Sequence, residues 1–139
     1  AQTMEKQFGP NKVAGEKFLA ANKKKAGVVT LPSGLQYKVI KEGKGAIPTD
    51  TTTVQVQYEG RTIDGKVFES SYKNGKEPMK MQPRQMIPGW TEALTRMPEG
   101  SVWEVYIPQN LAYKERQAGQ IKPFSTLIFK IELVKVGAK

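Results

Sequence analysis

The sequence MIPGWTEALTRMPEG, residues 86–100, predicts a short amphipathic helix with a tryptophan in its first turn. Apolar residues recur there at the helical spacing i, i+3, i+4, i+7, as Trp90, Ala93, Leu94 and Met97. Proline and glycine precede the helix, and Pro98-Glu99-Gly100 ends it, so we expect it over residues 89–96. A large indole at this point either fills a core or forms the floor of a pocket.

Alternating apolar residues on both sides of this helix predict β-strands. An Asp64-Gly65 pair predicts a turn between two of them. Several strands around one short helix indicate an α+β fold, in which an antiparallel sheet of five or six strands wraps around the helix. The predicted strands cover residues 35–40, 53–58, 67–68, 79–81, 103–107 and 127–133.

The N-terminal part of the chain has helical periodicity instead. Asn11 can cap a helix over residues 11–26, and Gly27 stands where a left-handed terminator belongs. A helix of about 15 residues is only marginally stable alone, so it needs a packing partner. We therefore divide the chain into a helical extension, residues 1–27, and a domain, residues 28–139.

The composition excludes several kinds of chemistry. The 139 residues include no cysteine and no histidine, so Ser–His and Cys–His catalysis and zinc–thiolate sites are excluded. We expect no metal and no cofactor. A net charge of +9 raises the question of nucleic acid, but the lysines crowd into the N-terminal segment without interleaved aromatic residues, so we expect no specific nucleic-acid binding. No apolar run reaches the length of a transmembrane helix.

Five motifs follow one another along the chain: VQVQYEGRTIDG (54–65), KVFESS (66–71), MIPGW (86–90), LAY (111–113) and STLIF (125–129). Their order and spacing resemble the FK506-binding protein (FKBP) family, and the resemblance spans residues 35–136. Further upstream, GEKFL (15–19) and LPSGLQY (31–37) are similar to the bacterial subgroup typified by macrophage infectivity potentiator.

The resemblance implies an FKBP-type peptidyl-prolyl cis-trans isomerase (EC 5.2.1.8 class) without a cofactor. Its partners would be proline-containing polypeptide clients and macrolides such as rapamycin, and in this subgroup the N-terminal helical segment commonly forms a homodimer. Its implied location is the bacterial cell envelope, in the periplasm, with the cytoplasm as the alternative. The implied catalytic residues are Tyr58, Phe68, Glu69, Trp90, Tyr113 and Phe129, and the implied substrate-binding residues are Met79, Met86, Ile87 and Ile121.

Isomerising an X-Pro bond means twisting an amide over a barrier of about 18–20 kcal/mol, and no covalent bond changes. The planar amide is more polar than the twisted one, so a dry aromatic hollow raises the ground state more than the transition state. The chain departs from the family pattern in Glu69 (usually aspartate), Met79 (often aromatic), Met86 (usually valine), Lys114 and Lys122. These departures leave an alternative open, a non-catalytic FKBP-like peptide-binding module or holdase chaperone.

Overall fold

The computed structural model describes residues 2–71, 78–112 and 125–137, with side chains described from residue 12 onward. Within these residues the secondary structure confirms the predicted α+β class. The elements are α1 (Gln2–Asn22), β1 (Val28–Thr30), β2 (Gln36–Lys41), β3 (Val54–Thr62), β4 (Val67–Ser70), β5 (Met79–Met81), α2 (Pro88–Leu94), β6 (Val102–Ile107) and β7 (Leu127–Val136).

The described strands form one antiparallel sheet in the order β1-β2-β6-β7-β3-β4, and β5 pairs with the other end of β3. The two long strands, β3 and β7, lie side by side at its centre, with Tyr58 opposite Ile131 and Gly60 opposite Phe129. Because successive side chains of a strand point to opposite faces, these pairs direct one row of side chains toward α2. That row builds the core.

Helix α2 lies against this face of the sheet. Pro88 occupies its first turn, and the Trp90 N–H donates to the Ile87 carbonyl oxygen at 2.9 Å. The buried face of α2 carries the apolar residues predicted from the helical spacing: Trp90, Ala93, Leu94 and, just beyond its end, Met97. The predicted helix is therefore confirmed. It begins at Pro88, one residue before the predicted start, and ends at Leu94, two residues before the predicted end.

The N-terminal helix α1 is longer upstream than the sequence predicted. It begins at Gln2 rather than near Asn11. Residues 4–7, Met-Glu-Lys-Gln, are favourable helix formers, and the helix continues through Gly9, Pro10 and the expected cap even though Gly and Pro are the weakest helix formers.

Helix α1 also ends earlier, at Asn22 rather than at residue 26. Beyond Asn22 the backbone N–H groups of Lys24 and Lys25 bond to carbonyl oxygens three residues back, at 3.3 and 3.0 Å, which is the geometry of turns. The Asn22 side chain itself is 2% exposed and donates to Gln36 Oε1 at 2.8 Å. This contact ties the end of the helix to β2.

Seven strands exceed the five or six predicted, because β1 was not expected. Three residues are too few for a periodic pattern, and β1 is recognisable only by its pairing with β2 (Val29 opposite Tyr37). The Asp64-Gly65 turn is confirmed, since Gly65 has φ = 91° and its N–H donates to the Thr62 carbonyl oxygen at 2.9 Å.

Candidate active site

Four of the predicted site residues form a continuous aromatic cluster, made of Tyr58, Trp90, Phe129 and Phe68. The Trp90 ring lies 5.2 Å from Tyr58 (82° between planes) and 5.2 Å from Phe129 (83°). Phe129 in turn lies 5.6 Å from Phe68 at 88°. All three contacts are edge-to-face, the arrangement that ring quadrupoles favour. The sequence predicted these residues as a group, and the structure brings them together.

A β-bulge at Phe68 lets two consecutive residues face this cluster. Strand β4 pairs Gly60 with Glu69 but Arg61 with Val67, so Phe68 is an extra residue in the ladder. In a regular strand Phe68 and Glu69 would point to opposite faces. Here Phe68 packs on Phe129, while Glu69 reaches Tyr58.

The hydrogen bond between Tyr58 and Glu69 sets the polar edge of the cluster. The Tyr58 hydroxyl donates to Glu69 Oε2 at 2.7 Å. Tyr58 is 8% exposed, whereas Glu69 is exposed, so the bond joins a buried ring to a carboxylate at the surface. The longer side chain, in place of the family's usual aspartate, still reaches the tyrosine.

Gly60 is a further residue of the site, and the sequence reasoning missed it. A Cβ at Gly60 would lie 2.6 Å from Phe129 Cε1 and 2.7 Å from Phe68 Cζ. Such distances do not occur in real structures, so only glycine leaves room for both rings. A glycine inside a clean strand pattern was the available signal, because it marks a bulge or a close approach.

Three of the predicted substrate-binding residues border the cluster. Met79, Met86 and Ile87 are partly buried and pack against the core. The Ile87 N–H forms no hydrogen bond to any residue that the structure describes. Ile87 precedes α2 directly, so this N–H can donate to a ligand near Trp90, which is the role that the family resemblance implies for it. The other two predicted residues on this side of the site, Tyr113 and Ile121, lie outside the described residues.

The cluster is nearly closed to solvent. Trp90 is 1% exposed and Phe129 is 4% exposed, while Phe68 is only partly buried. The indole Nε1–H of Trp90 is buried and has no partner among the residues described. A ring can therefore reach the face of the indole only if covering groups move aside, and the accessible edge of the cluster is the one at Phe68 and Glu69.

Most of the ionic contacts seen near the central strands lie on the opposite face of the sheet. Arg61 Nη2 contacts Glu104 Oε2 at 2.7 Å, and the Tyr106 hydroxyl donates to Glu104 Oε1. Burial raises the pKa of Glu104, but the hydrogen bonds from Tyr106 and Arg61 outweigh it and hold that pKa below its usual 4.5. Burial and the carboxylate raise the pKa of Tyr106. On the face of the sheet that carries the aromatic cluster, the carboxylate bonded to the cluster is that of Glu69.

No group of three side chains suited to holding a metal ion occurs in the part of the chain that the structure describes. Neither of the described helices combines the length and the apolar character that crossing a bilayer requires.

Comparison with known proteins places this geometry in a family. The family model for FKBP-type peptidyl-prolyl cis-trans isomerase matches residues 44–134. The chain belongs to this family. A second model, for the domain amino terminal to FKBP-type peptidyl-prolyl isomerase, matches residues 1–39, which include α1, β1 and part of β2. The family match covers every described residue of the aromatic cluster.

Two curated bacterial proteins are similar to most of this FKBP-type chain. "Outer membrane protein MIP" of Legionella longbeachae is 55% identical over 132 residues, covering 94% of this chain and 56% of the relative. The "FKBP-type 22 kDa peptidyl-prolyl cis-trans isomerase" of Escherichia coli K12 is 54% identical over 123 residues, covering 88% and 59%. The FKBP-type chain thus spans less than two thirds of the length of these curated relatives.

Among solved structures, the crystal structure of FkpA from Escherichia coli superposes with a TM-score of 0.93 at 40% identity, covering 98% of this chain and 63% of that one. A peptidyl-prolyl cis-trans isomerase from Pseudomonas syringae has a TM-score of 0.86 at 36% identity, covering 94% of this chain and 96% of that one. The likeness to FkpA includes α1, since nearly the whole chain is covered.

Proposed function

We propose that this chain is a peptidyl-prolyl cis-trans isomerase that accelerates X-Pro isomerisation in folding proteins. The observation that carries the proposal is the aromatic cluster: Trp90 is flanked edge-to-face by Tyr58 and Phe129, in a chain of the FKBP-type family. We further propose that the proline ring of the client binds against the Trp90 indole, which requires local opening because that residue is 1% exposed.

The cluster suits this reaction because it is apolar. In water the planar amide is stabilised by hydrogen bonds to its polarised oxygen, and a site lined by aromatic rings removes much of that stabilisation. The twisted amide has less charge separation, so it loses less. Each tenfold gain in rate requires only about 1.4 kcal/mol of this difference.

One group on the described residues can hold the client in place, and a second can support the site. The Ile87 N–H, which bonds to no described residue, can donate to a carbonyl flanking the proline. The Tyr58–Glu69 pair at the accessible edge can hold the backbone of the bulged strand in its position. The hydroxyl of Tyr113, by resemblance to the family, donates to a second client carbonyl.

A protease-coupled assay tests the proposal. A chromogenic X-Pro-Phe peptide is cleaved only in its trans form, so the slow phase reports isomerisation. The expected result is a first-order rate that rises linearly with protein concentration and returns to the uncatalysed value when rapamycin is saturating. That outcome would also establish the macrolide as a ligand. If the acceleration persisted in saturating rapamycin, the isomerase proposal would stand and the proposal that the macrolide binds at the same site would fall.

The alternative function, a non-catalytic peptide-binding module or holdase chaperone, remains open because of the substitutions at Glu69 and Met79. Met79 is partly buried against the core, and methionine adapts to varied side chains, which favours promiscuous binding. The holdase predicts suppressed aggregation of an unfolded client without any change in the isomerisation rate. Measuring both properties on the same preparation decides between the two functions.

We also propose that the protein acts in the bacterial cell envelope, in the periplasm, on proline-containing clients. A relative at 55% identity is named an outer membrane protein, which supports this location over the cytoplasm. Fractionation of the native bacterium, followed with an antibody to this chain, tests it.

A homodimer through the N-terminal extension is the remaining proposal. The match of residues 1–39 to the domain amino terminal to FKBP-type isomerases supports it. Light scattering at several concentrations measures the mass directly. A monomer at all concentrations would contradict this proposal for the 139-residue chain and leave the isomerase proposal unaffected.

A further inference from the structure

Helix α1 packs on the face of the sheet opposite the aromatic cluster. Along β7, Leu127 and Phe129 point into the core, so Ile128 between them points to the other face. Ile128 is paired with Tyr106, and the Tyr106 ring lies 6.0 Å from the Phe18 ring of α1. The helix therefore lies on the back of the sheet beside Tyr106 of β6, the residue that pairs with Ile128 of β7.

Helix α1 comes very close to the residue before β7 at Gly15. This residue is buried, and a Cβ there would lie 2.1 Å from Thr126 Oγ1 and 3.0 Å from Thr126 Cβ. Thr126 is 4% exposed and immediately precedes β7. A glycine at this point lets the helix backbone rest on the start of the strand that carries Phe129.

Buried amides fix the other end of the contact. Asn22 Nδ2 donates to Gln36 Oε1 at 2.8 Å, and Gln36 Nε2 donates to the Leu19 carbonyl oxygen at 2.9 Å. Gln36 is 3% exposed, so these bonds are shielded from competing water. The helix is therefore held in one position by two contacts, that of Gly15 with Thr126 and, two turns later, that of Asn22 with Gln36.

Helix α1 also lies beside the residues that precede and follow the segment 113–124. Thr126, just after this segment, contacts Gly15. Pro108 and Asn110, just before it, line a groove of about 320 Å³ together with Leu19 and other residues of α1. The segment contains Tyr113, which the family resemblance assigns to client binding.

We propose that α1 is a positioning element for the candidate active site, acting through the Gly15–Thr126 contact on β7 and Phe129. The proposal rests on the isomerase function proposed above. Thr126 and Phe129 are three residues apart in extended backbone, about 10 Å. A displacement of Thr126 passes along the hydrogen-bonded strand to Phe129, and a small misplacement of a site is sufficient to lower its activity strongly.

The test is Gly15→Ala in the full chain. Alanine is the better helix former, so an unpacked helix would gain stability from this change. In the packed helix the new Cβ would lie 2.1 Å from Thr126 Oγ1 and 3.0 Å from Thr126 Cβ, so the Thr126 side chain or the helix must shift. We expect kcat/KM of the folded variant to fall about tenfold, through kcat more than through KM, because the site is misplaced rather than removed.

The compensating change is Thr126→Ala, which removes the hydroxyl that the new Cβ would strike. In that background Gly15→Ala is expected to lower kcat/KM by clearly less than it does in the wild type, since the contact at 2.1 Å is gone and the contact with Thr126 Cβ at 3.0 Å remains. The matched control on the same helix is Val13→Ala, since Val13 is 49% exposed. Circular dichroism and thermal melting establish that each protein is folded.

A second readout does not depend on activity. In ¹⁵N correlation spectra, Gly15→Ala is expected to shift the amide of Phe129 and the indole Nε1–H of Trp90, and Thr126→Ala is expected to reduce the change that Gly15→Ala causes. If Gly15→Ala does not fold, Asn22→Ala, which removes the donor to Gln36, is measured instead with the same expectation.

The outcomes separate the two proposals. An inactive wild-type protein overturns the isomerase function, while the spectra still test whether α1 positions Phe129. An active wild type, with unchanged kcat/KM and unchanged Phe129 and Trp90 signals in the variant, overturns the positioning role alone.

Discussion

The substitution Phe68→Ala separates the catalytic role of the cluster from its role in packing. Phe68 is partly exposed and touches Phe129 edge-to-face at 5.6 Å. Full burial of a phenylalanine makes its truncation to alanine cost about 3–5 kcal/mol, so a partly exposed ring should cost less, about 2 kcal/mol. For a chain of this size that corresponds to a Tm lowered by about 6–8 °C.

The expected loss of activity is larger than this loss of stability would cause. At 25 °C a protein that is marginally destabilised remains almost entirely folded, so a purely structural role predicts unchanged kcat/KM. If Phe68 forms the accessible wall of the site, its removal admits water and kcat/KM falls at least about tenfold, equivalent to about 1.4 kcal/mol in the transition state. The protease-coupled assay measures this.

The matched control is Tyr37→Ala. Tyr37 is also a partly buried aromatic residue, stacked on Trp103 at 4.0 Å and 6°, and it lies on β2, away from the cluster. Its loss should lower Tm by a similar amount and leave kcat/KM within about twofold of the wild type, because its ring stacks on Trp103 and not on a ring of the cluster. Wild-type kcat/KM in folded Phe68→Ala would refute the assignment of Phe68 to the site.

Three further substitutions test other contacts. Gly60→Ala places a methyl 2.6 Å from Phe129 Cε1, so we expect a destabilisation of about 1–3 kcal/mol and the loss of most activity. Denaturant titration measures the stability, and a variant that is stabilised and active would contradict the close packing. Tyr58→Phe removes the hydrogen bond to Glu69, and kcat/KM should fall only about three- to tenfold, whereas a far larger loss would indicate proton transfer. Glu104→Gln tests acid stability. The hydrogen bonds from Tyr106 and Arg61 hold the folded pKa of Glu104 below its usual 4.5, so its contribution to stability is present above pH 4.5 and is lost as the pH falls through the folded pKa. The unfolding free energy of the variant should therefore depend less on pH in that range; an unchanged pH profile would count against the hydrogen bonds to this carboxylate.

The sequence predicted most of the sheet because its long strands alternate cleanly. Strand β3 extends from Val54 to Thr62, and β7 from Leu127 to Val136, and both contain the predicted apolar rows. The three residues of β1 carry no such pattern, and their pairing with β2 becomes visible only in three dimensions. Helix α1 was predicted to start at Asn11 because the apolar periodicity begins at Val13, whereas the helix starts at Gln2 and continues through Gly9 and Pro10, which helix propensity disfavours.

The sequence predicted which residues form the candidate site, but it did not predict the geometry of the site. The order of the motifs identified Tyr58, Phe68, Trp90 and Phe129 together, and the structure places them in one cluster. The bulge that turns Phe68 and Glu69 to the same side is a matter of register, which strand periodicity does not encode.

The close contacts of two glycines were not predicted, for a related reason. The roles of Gly60 and Gly15 depend on which side chains approach from distant parts of the chain, namely Phe129 and Thr126. A glycine in a strand or helix pattern signals a close approach, but the sequence does not name the partner.

The most direct measurement is an NMR contact map of the protein bound to a short X-Pro peptide with a ¹³C-labelled proline. If the cluster is the site, intermolecular nuclear Overhauser effects will connect the proline ring protons to the Trp90 indole and the Phe129 ring, and the Trp90 Nε1–H signal will shift on binding. The central proposal would be contradicted if the peptide bound with its proline against other residues while the Trp90 indole stayed as covered as it is in the free protein.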